Sequence, residues 1–286
     1  MRIGIVSNPI KDTNFATAIR TADILFALGA TPLIDADDGL STHAVATHVV
    51  RGDLGSCDLI LCLGGDGTFL SVVQNHHAQG IPIIGVNLGS LGFLAEIQPE
   101  RLEQSLKDLV EGRYRIEERM LIEASFLDGQ GQVKTVRTAL NDVVVSRGGI
   151  SRILTTVLSI GGHLVERIPG DGIIVSTPTG STGYSLSAGG PIIQPDLALM
   201  VVTPICPHTL HNRSYVVSAD SGVGIGILDY PFSAVVSIDG RPVGTMTASD
   251  RITVRRAPNT MKLAKLSDTG FYEKLPGKIS ERGGVR

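Results

Sequence analysis

The sequence has no tryptophan, and aromatic residues make up only 4% of its 286 positions. Lys and Arg are scattered through most of the chain and the net charge is −3. A basic stripe with interleaved aromatic rings is therefore missing, and nucleic acid is not an expected partner. Cysteine is also scarce. Cys57, Cys62 and Cys206 are odd in number, in a chain too long to need disulfide staples, so reduced thiols in the cytosol are expected. Neither a C-x-x-C pair nor a His/Cys cluster with zinc spacing occurs. Long hydrophobic runs are missing too. The stretch from Leu197 to Cys206 is broken by Thr203 and Pro204 and cannot span a bilayer. The start, MRIGIVSNP, is too short for a signal-peptide core. The expectation is a soluble, cytoplasmic globular protein with no membrane partner.

Glycine, by contrast, is abundant. There are 34 in 286 residues, about 12% against a usual share of about 7%. They follow no collagen-like period and sit beside apolar runs, which implies tight turns and backbone that approaches a ligand closely. The length suits two domains with substantial cores.

The first third alternates strand and helix patterns. RIGIVS (Arg2 to Ser7) reads as a buried strand. Asp12 to Leu28 carries apolar residues at helical spacing and stops at Gly29, and Thr31 to Ile34 is a second strand. Ser41 can cap a weaker helix reaching His48. Cys57 to Leu63 is an apolar run typical of a strand covered on both faces. A helix from Thr68 to Gln79 ends at Gly80, and the strand Ile81 to Val86 follows. Alternation of this kind implies a doubly wound parallel sheet. Pro99 to Val110 reads as one more helix, closed by Gly112.

After Pro99 the texture changes to strand-like runs: Leu121 to Leu127, Val133 to Val145, Ile153 to Ile160, Ile173 to Ser176, Val235 to Ile238 and Ile252 to Val254. Asp128-Gly129, Gly148-Gly149, Gly161-Gly162 and Asp239-Gly240 between such runs are hairpin signals. The expected fold class is therefore α/β plus all-β. Residues 1–98 form a parallel α/β domain and 99–257 a mostly antiparallel β-sandwich. Residues 258–286 form a tail packing back on the first domain. Nine Lys/Arg against three Asp/Glu in Arg251 to Arg286 read as a solvated tail, with a phosphate or partner contact as the alternative.

Three segments carry chemistry. The first is Leu63-Gly64-Gly65-Asp66-Gly67-Thr68, between a buried strand and a helix. In an open parallel sheet this is the ligand end, and exposed glycine amides at a helix start suit a phosphate. Gly64, Gly65, Gly67 and Thr68 are the phosphate-binding candidates. Asp66 would repel a phosphate unless it holds a metal or accepts a proton; alternatively it caps the helix starting near Thr68. The segment is neither a Walker A loop nor G-x-G-x-x-G, and G-x-S-x-G is missing. The second is Gly170-Asp171-Gly172 followed by Ser176 to Gly190, where short hydroxyl side chains suit a polyhydroxylated or nucleotide ligand; a Ser/Gly-rich surface loop is the alternative. The third is Asn141-Asp142, an amide and a carboxylate that suit the two hydroxyls of a ribose or, alternatively, form a strand-edge turn. His76 and His77 point to different helix faces and are not a metal pair. His208 and His211 read as structural.

GGDGT, then Asn87-Leu88-Gly89-Ser90-Leu91-Gly92-Phe93-Leu94, then Asn141-Asp142, then an Asp-Gly followed by STPTGSTGYSLSAGGP, in this order and spacing, resembles the NAD kinase family from Ile3 to about Tyr272. GGDG alone also occurs in diacylglycerol kinases, sphingosine kinases and phosphofructokinases, but the four blocks together are specific. The resemblance implies a Rossmann-like first domain of the NAD kinase/diacylglycerol kinase type. It also implies transfer of the γ-phosphoryl group of ATP, or of polyphosphate in its place, to the 2'-hydroxyl of the adenosine ribose of NAD. It makes Asp66 the proton acceptor, with Gly67 against the dinucleotide. It places Asn141 and Asp142 on the nicotinamide-side ribose, and Asp171, Thr182, Gly183, Tyr184, Ser185 and Ser187 around the dinucleotide. Arg152 sits where the family has a basic contact. A homodimer or homotetramer is also implied.

The chain departs from the pattern in having Asp142 where Glu is frequent, Gly183 where Ala is frequent, and Arg241 after Asp239-Gly240 where Gln is frequent. Phosphoryl transfer needs positioning and charge neutralisation. No lysine stands in the motifs, so that charge is expected from a divalent cation (Mg²⁺ or Mn²⁺) carried by ATP, from backbone amides and from Arg152, with no protein metal cage. A lipid kinase of the same superfamily and a non-catalytic NAD(P)-binding regulator are the competing readings.

Overall fold

In a computed structural model of the chain, the described residues are 1–35, 48–76, 80–89, 92–148, 152–209, 212–228, 230–268, 270–273 and 275–277. The expected Ser41 helix, His77, Gly149 and His211 lie outside them, as do residues 278–286 of the basic stretch. Its earlier part is not a solvated tail, since Arg251–Lys265 forms a strand whose Ile252, Val254, Met261 and Leu263 are buried. Chain contacts define two units: Met1–Glu118 with the stretch from Met261, and Arg119–Thr260.

Unit one starts with β1 (Arg2–Ser7), α1 (Ala16–Ala27), β2 (Thr31–Ile34) and β3 (Val50–Arg51), then β4 (Leu59–Gly64), α2 (Asp66–His76), β5 (Ile83–Asn87), β6 (Ala95–Ile97) and α3 (Leu102–Val110). The strands pair in parallel in the order β6-β5-β4-β1-β2-β3. Leu263, late in the chain, also pairs in parallel with Ile83 of β5. Strand order reverses direction between β1 and β4, since β1 leads outward to β2 and β4 leads the other way to β5. In such sheets ligands bind beyond the carboxyl ends of the strands at that reversal. Side chains alternate across the sheet. Ile3, Ile5, Leu59, Leu61, Leu63, Ile84 and Val86 form one core with α1 and α3, and a methyl group on Gly85 would meet Phe69 of α2 on the opposite face. The helices therefore cover both faces. α1 ends as its sequence indicates, at Gly29 with φ +77, a left-handed position that favours glycine.

The division between units falls after Glu118 and not at Pro99. The reason is α3: Leu102, Leu106 and Leu109 are buried among β1, β4, β5 and α1, and each such burial contributes about 1.5–3 kcal/mol.

Among the described residues, unit two is all-β apart from a 3-10 turn (Thr179–Thr182) and one turn of α-helix. It contains β7 (Arg115–Leu127, entering from unit one), β8 (Val133–Ala139), β9 (Asp142–Ser146), β10 (Leu154–Ile160), β11 (His163–Gly170) and β12 (Gly172–Ser176). These are followed by α4 (Tyr184–Ser187), β13 (Leu199–Ile205), β14 (Tyr215–Ser218), β15 (Val223–Leu228), β16 (Ala234–Ile238), β17 (Arg241–Met246) and β18 (Arg251–Lys265). One antiparallel sheet runs β14-β13-β12-β9-β16-β17. A second antiparallel set runs β11-β10-β15-β18, and β7 pairs with β8. Val143, Val145, Ile173, Val175, Met200 and Val236 of the first pack with Leu154, Leu158, Ile225, Ile252 and Val254 of the second in one core, the arrangement of a sandwich. Gly161-Gly162 and Asp239-Gly240 form two-residue hairpin links with positive φ at both positions. The run from Val133 to Val145 is not one strand: it breaks at Leu140 and Asn141. Among the described residues no helix is long and apolar enough to cross a membrane.

Candidate active site

In unit one, the carboxyl end of β4 delivers Gly64 and Gly65, and α2 begins at Asp66 itself, with Thr68 and Phe69 donating their amides to the Gly65 carbonyl. Asp66 is thus inside the helix and does not cap one starting at Thr68. Its carboxylate instead accepts the amides of Phe93 (3.0 Å) and Leu94 (3.2 Å). A side chain on Gly92 would collide with that carboxylate, so glycine at 92 lets the 92–94 backbone close on Asp66. A side chain on Gly64 would likewise collide with Thr68, whose hydroxyl accepts from Asn8 Nδ2 at 2.9 Å. Gly67 is exposed, with open space where a side chain would be.

Three residues here were not foreseen. The Asn8 carboxamide oxygen accepts the amides of Ile10 and Lys11, closing a turn after β1. Asp12, 2% exposed, accepts from the Ser7 hydroxyl and from the amides of Thr17 and Ala18, so it holds the start of α1. Lys11 reaches the glycine-rich loop: a methyl group on Gly65 would lie 2.6 Å from its Nζ, and one on Gly89 3.2 Å. The motifs themselves hold no lysine, as the sequence shows, but this one comes close to their glycines in the fold. Lys11 stands outside the motifs in sequence but follows β1, the neighbour of β4 in the sheet.

In unit two, Asn141 lies in the break between β8 and β9, and Asp142 is the first residue of β9. Asp239, 7% exposed, accepts three successive amides there, from Leu140 (3.0 Å), Asn141 (2.7 Å) and Asp142 (3.1 Å). Thr177 closes the other side, donating its hydroxyl to the Leu140 carbonyl and its amide to the Asn141 carbonyl. A side chain on Gly180 would collide with that same Asn141 carbonyl. A methyl group on Gly183 would stand 3.8 Å from Asn141 Nδ2 and 3.9 Å from Asp142 Oδ2, so the amide, the carboxylate and this glycine converge. Burial, with the Asp239 carboxylate beside it, pushes the Asp142 carboxyl up to about 7. The Tyr184 phenol is also held above its usual range, by burial and then by Cys206, Asp171 and Asp142, which places its hydroxyl in the same field.

The hydroxyl-rich run is mostly turned inward. Ser185 is fully buried and bonds the Thr203 hydroxyl, Thr182 donates to the Thr179 carbonyl, and Ser181 links the Pro178 and Ile193 backbones. These groups fix the turn, while Tyr184, Ser187 and Gly189 are its exposed members. Asp171 is ion-paired with Arg147 at 2.8 Å, a partner the sequence did not single out. Arg152 is exposed before β10, and no hydrogen bond or ion pair joins it to the residues above. His208 is exposed and its amide donates to the Pro169 carbonyl. Burial raises the Cys57 thiol to about 11 and the Cys62 thiol to about 12, which keeps both protonated and unreactive. Among the described residues no three His, Cys, Asp or Glu side chains converge to hold a metal ion.

Comparison with known proteins agrees on both units. Residues 3–114 match the family model of the ATP-NAD kinase N-terminal domain, and residues 140–266 that of the ATP-NAD kinase C-terminal domain. The chain is 37% identical over 285 residues to an NAD kinase of Acetivibrio thermocellus, covering 99% of this chain and 98% of that one. It is 43% identical over 223 residues, 78% of each chain, to an NAD kinase of Natranaerobius thermophilus. Among solved structures, an NAD kinase from Archaeoglobus fulgidus in complex with ATP superposes with a TM-score of 0.76 at 27% identity, covering 98% of this chain and 99% of that one. A yeast NADH kinase complexed with NADH superposes with a TM-score of 0.88 at 21% identity, covering 100% of this chain and 89% of that one; at that identity it speaks for the fold alone.

Proposed function

This chain belongs to the ATP-NAD kinase family, and on that premise we propose that it transfers the γ-phosphoryl group of ATP to the 2'-hydroxyl of the adenosine ribose of NAD, giving NADP and ADP. One observation carries the reading. At the reversal of strand order in unit one, a carboxylate stands in a glycine-rich loop at the start of a helix, held by two backbone amides. Asp66 takes the proton of the 2'-hydroxyl as its oxygen bonds to the γ-phosphorus and the bond to the bridging oxygen of ADP breaks. The loop amides of Gly64, Gly65 and Gly67, together with Thr68, face the donor phosphates.

Unit two supplies the dinucleotide contacts. Asn141 and Asp142 hold the nicotinamide-side ribose, on a turn that Asp239 and Thr177 fix in advance, so little ordering cost remains for binding. Asp171, Gly183, Tyr184 and Ser187 line the dinucleotide, with Arg152 as an outer basic contact. Thr182 and Ser185 act from beneath, by shaping the turn. In the same proposal the divalent cation arrives with ATP and is written here as part of the substrate. A lipid acceptor is set aside by family membership and by the polar character of the Asn141 turn. Assembly into two or four copies is part of the same proposal and is read by analytical ultracentrifugation.

The test is ADP release from ATP and Mg²⁺ with NAD, with NADH and with no acceptor. ADP formed only with a dinucleotide, in step with a 2'-phosphorylated product and faster with NAD, supports the reading. ADP release that ignores the acceptor, or none at all, overturns it.

A further inference from the structure

We propose that Lys11 is the cation that receives the phosphate chain of the phosphoryl donor, an inference that rests on the kinase reading above. The motifs that define the loop contain no lysine, yet a nucleoside triphosphate brings several negative charges next to the Asp66 carboxylate. Amides alone do not neutralise that charge, and a built site needs a fixed positive group.

Lys11 meets the requirement in three ways. Its backbone is tied on both sides. Asn8 bonds the Ile10 and Lys11 amides and donates to Thr68 at the start of α2, and Asp12 anchors to Ser7, Thr17 and Ala18. Its side chain is nonetheless exposed, and no acidic group among the described residues pairs with its ammonium, so that charge is available to a ligand. Its Nζ also lies over Gly65 and Gly89, which follow two adjacent strands, β4 and β5. A side chain at 65 would displace the ammonium from that place, and one at 89 would press against it. Glycine at both positions therefore clears the ground for a cation and its anion as well as exposing amides. A Walker-type loop carries its lysine within the loop; here the neighbouring strand delivers it, because β1 and β4 meet where strand order reverses.

The experiment compares wild type, Lys11→Met and Lys11→Arg. Removing one charge-assisted contact should raise KM for ATP about 10- to 100-fold in Lys11→Met, leave KM for NAD within about threefold, and leave the melting temperature unchanged. Lys11→Arg should restore most of the ATP affinity, since charge and reach are kept. Calorimetric titration of Mg-ATP without dinucleotide reads the same loss independently of turnover, so the inference is tested even if NAD is not the acceptor. The same variants assayed with inorganic polyphosphate distinguish the source of the phosphate chain: a matched loss supports recognition of the chain itself. Unchanged ATP affinity in Lys11→Met overturns the inference, as does an equal rise in KM for NAD, which would place the cation on the dinucleotide pyrophosphate. Wild type that binds ATP but turns over neither dinucleotide overturns the kinase reading and leaves the titration to decide Lys11.

Discussion

Replacing Asp66 by Asn separates two functions that one carboxylate performs. The two oxygens accept different amides, Phe93 at 3.0 Å and Leu94 at 3.2 Å. Asn keeps one acceptor and turns the other into an NH₂ group facing an N–H donor. One charge-assisted bond is lost and one backbone amide is left facing a donor, which together cost about 1–3 kcal/mol. For a unit of this size that lowers the melting temperature by roughly 2–4 °C per kcal/mol, several degrees in all. The sequence alone, treating Asp66 as a helix cap that Asn can replace, would lead one to expect no such loss. Chemistry suffers separately. Without a proton acceptor for the 2'-hydroxyl, kcat should fall about 10²- to 10⁴-fold. Gly92→Ala is the control. Its methyl group collides with the carboxylate and displaces the 92–94 backbone, but the acid remains, so it should destabilise while costing less in kcat than Asp66→Asn. The assays are coupled ADP release at saturating NAD and differential scanning calorimetry on the same preparations. A kcat for Asp66→Asn within threefold of wild type would refute the proton-acceptor role, and an unchanged melting temperature would refute the account of how 92–94 is held.

Three further outcomes are expected. Asp142 titrates near 7 when folded, against an ordinary carboxylate value of 3.8 when unfolded. Between these values the folded state binds the extra proton, so this group's contribution to stability declines as pH rises from about 4 to 7 and is level above that; Asp142→Asn should flatten that slope in a pH series of melting curves, and an identical slope would show that burial does not govern this carboxyl. Gly180→Ala drives a methyl group into the Asn141 carbonyl. It should cost about 1–3 kcal/mol and raise KM for NAD with KM for ATP unchanged, whereas equal effects on both would deny the turn its dinucleotide role. EDTA should end turnover without lowering the melting temperature of the nucleotide-free protein; a sharp fall would reveal a structural metal.

Much of this protein can be read locally. Period-two and helical apolar patterns are properties of neighbouring residues, which is why β1, β4, α1 and the hairpins at Gly161-Gly162 and Asp239-Gly240 can be found in the sequence: glycine or aspartate with positive φ is a requirement of the turn itself. The glycine-rich loop and Asn141-Asp142 are legible for the same reason, as short strings whose chemistry is contained in them. What the fold alone decides are the partners. Asp239 shows in sequence only as a turn residue, but its carboxylate meets amides 97 to 99 positions away. Asn8 meets Thr68 across 60 positions. Thr177 meets the Leu140 carbonyl across 37, and together with Asp239 it breaks what reads as a single strand from Val133 to Val145. The hydroxyls of Thr182 and Ser185, which suggest ligand contacts in the sequence, are satisfied from within once the turn is packed. Lys11 belongs to no motif and gains its place because two strands more than fifty residues apart become neighbours. Backbone conformation follows from local sterics and periodicity; the direction in which a buried carboxylate or an exposed ammonium points depends on which strands lie side by side, and only the assembled sheet fixes that.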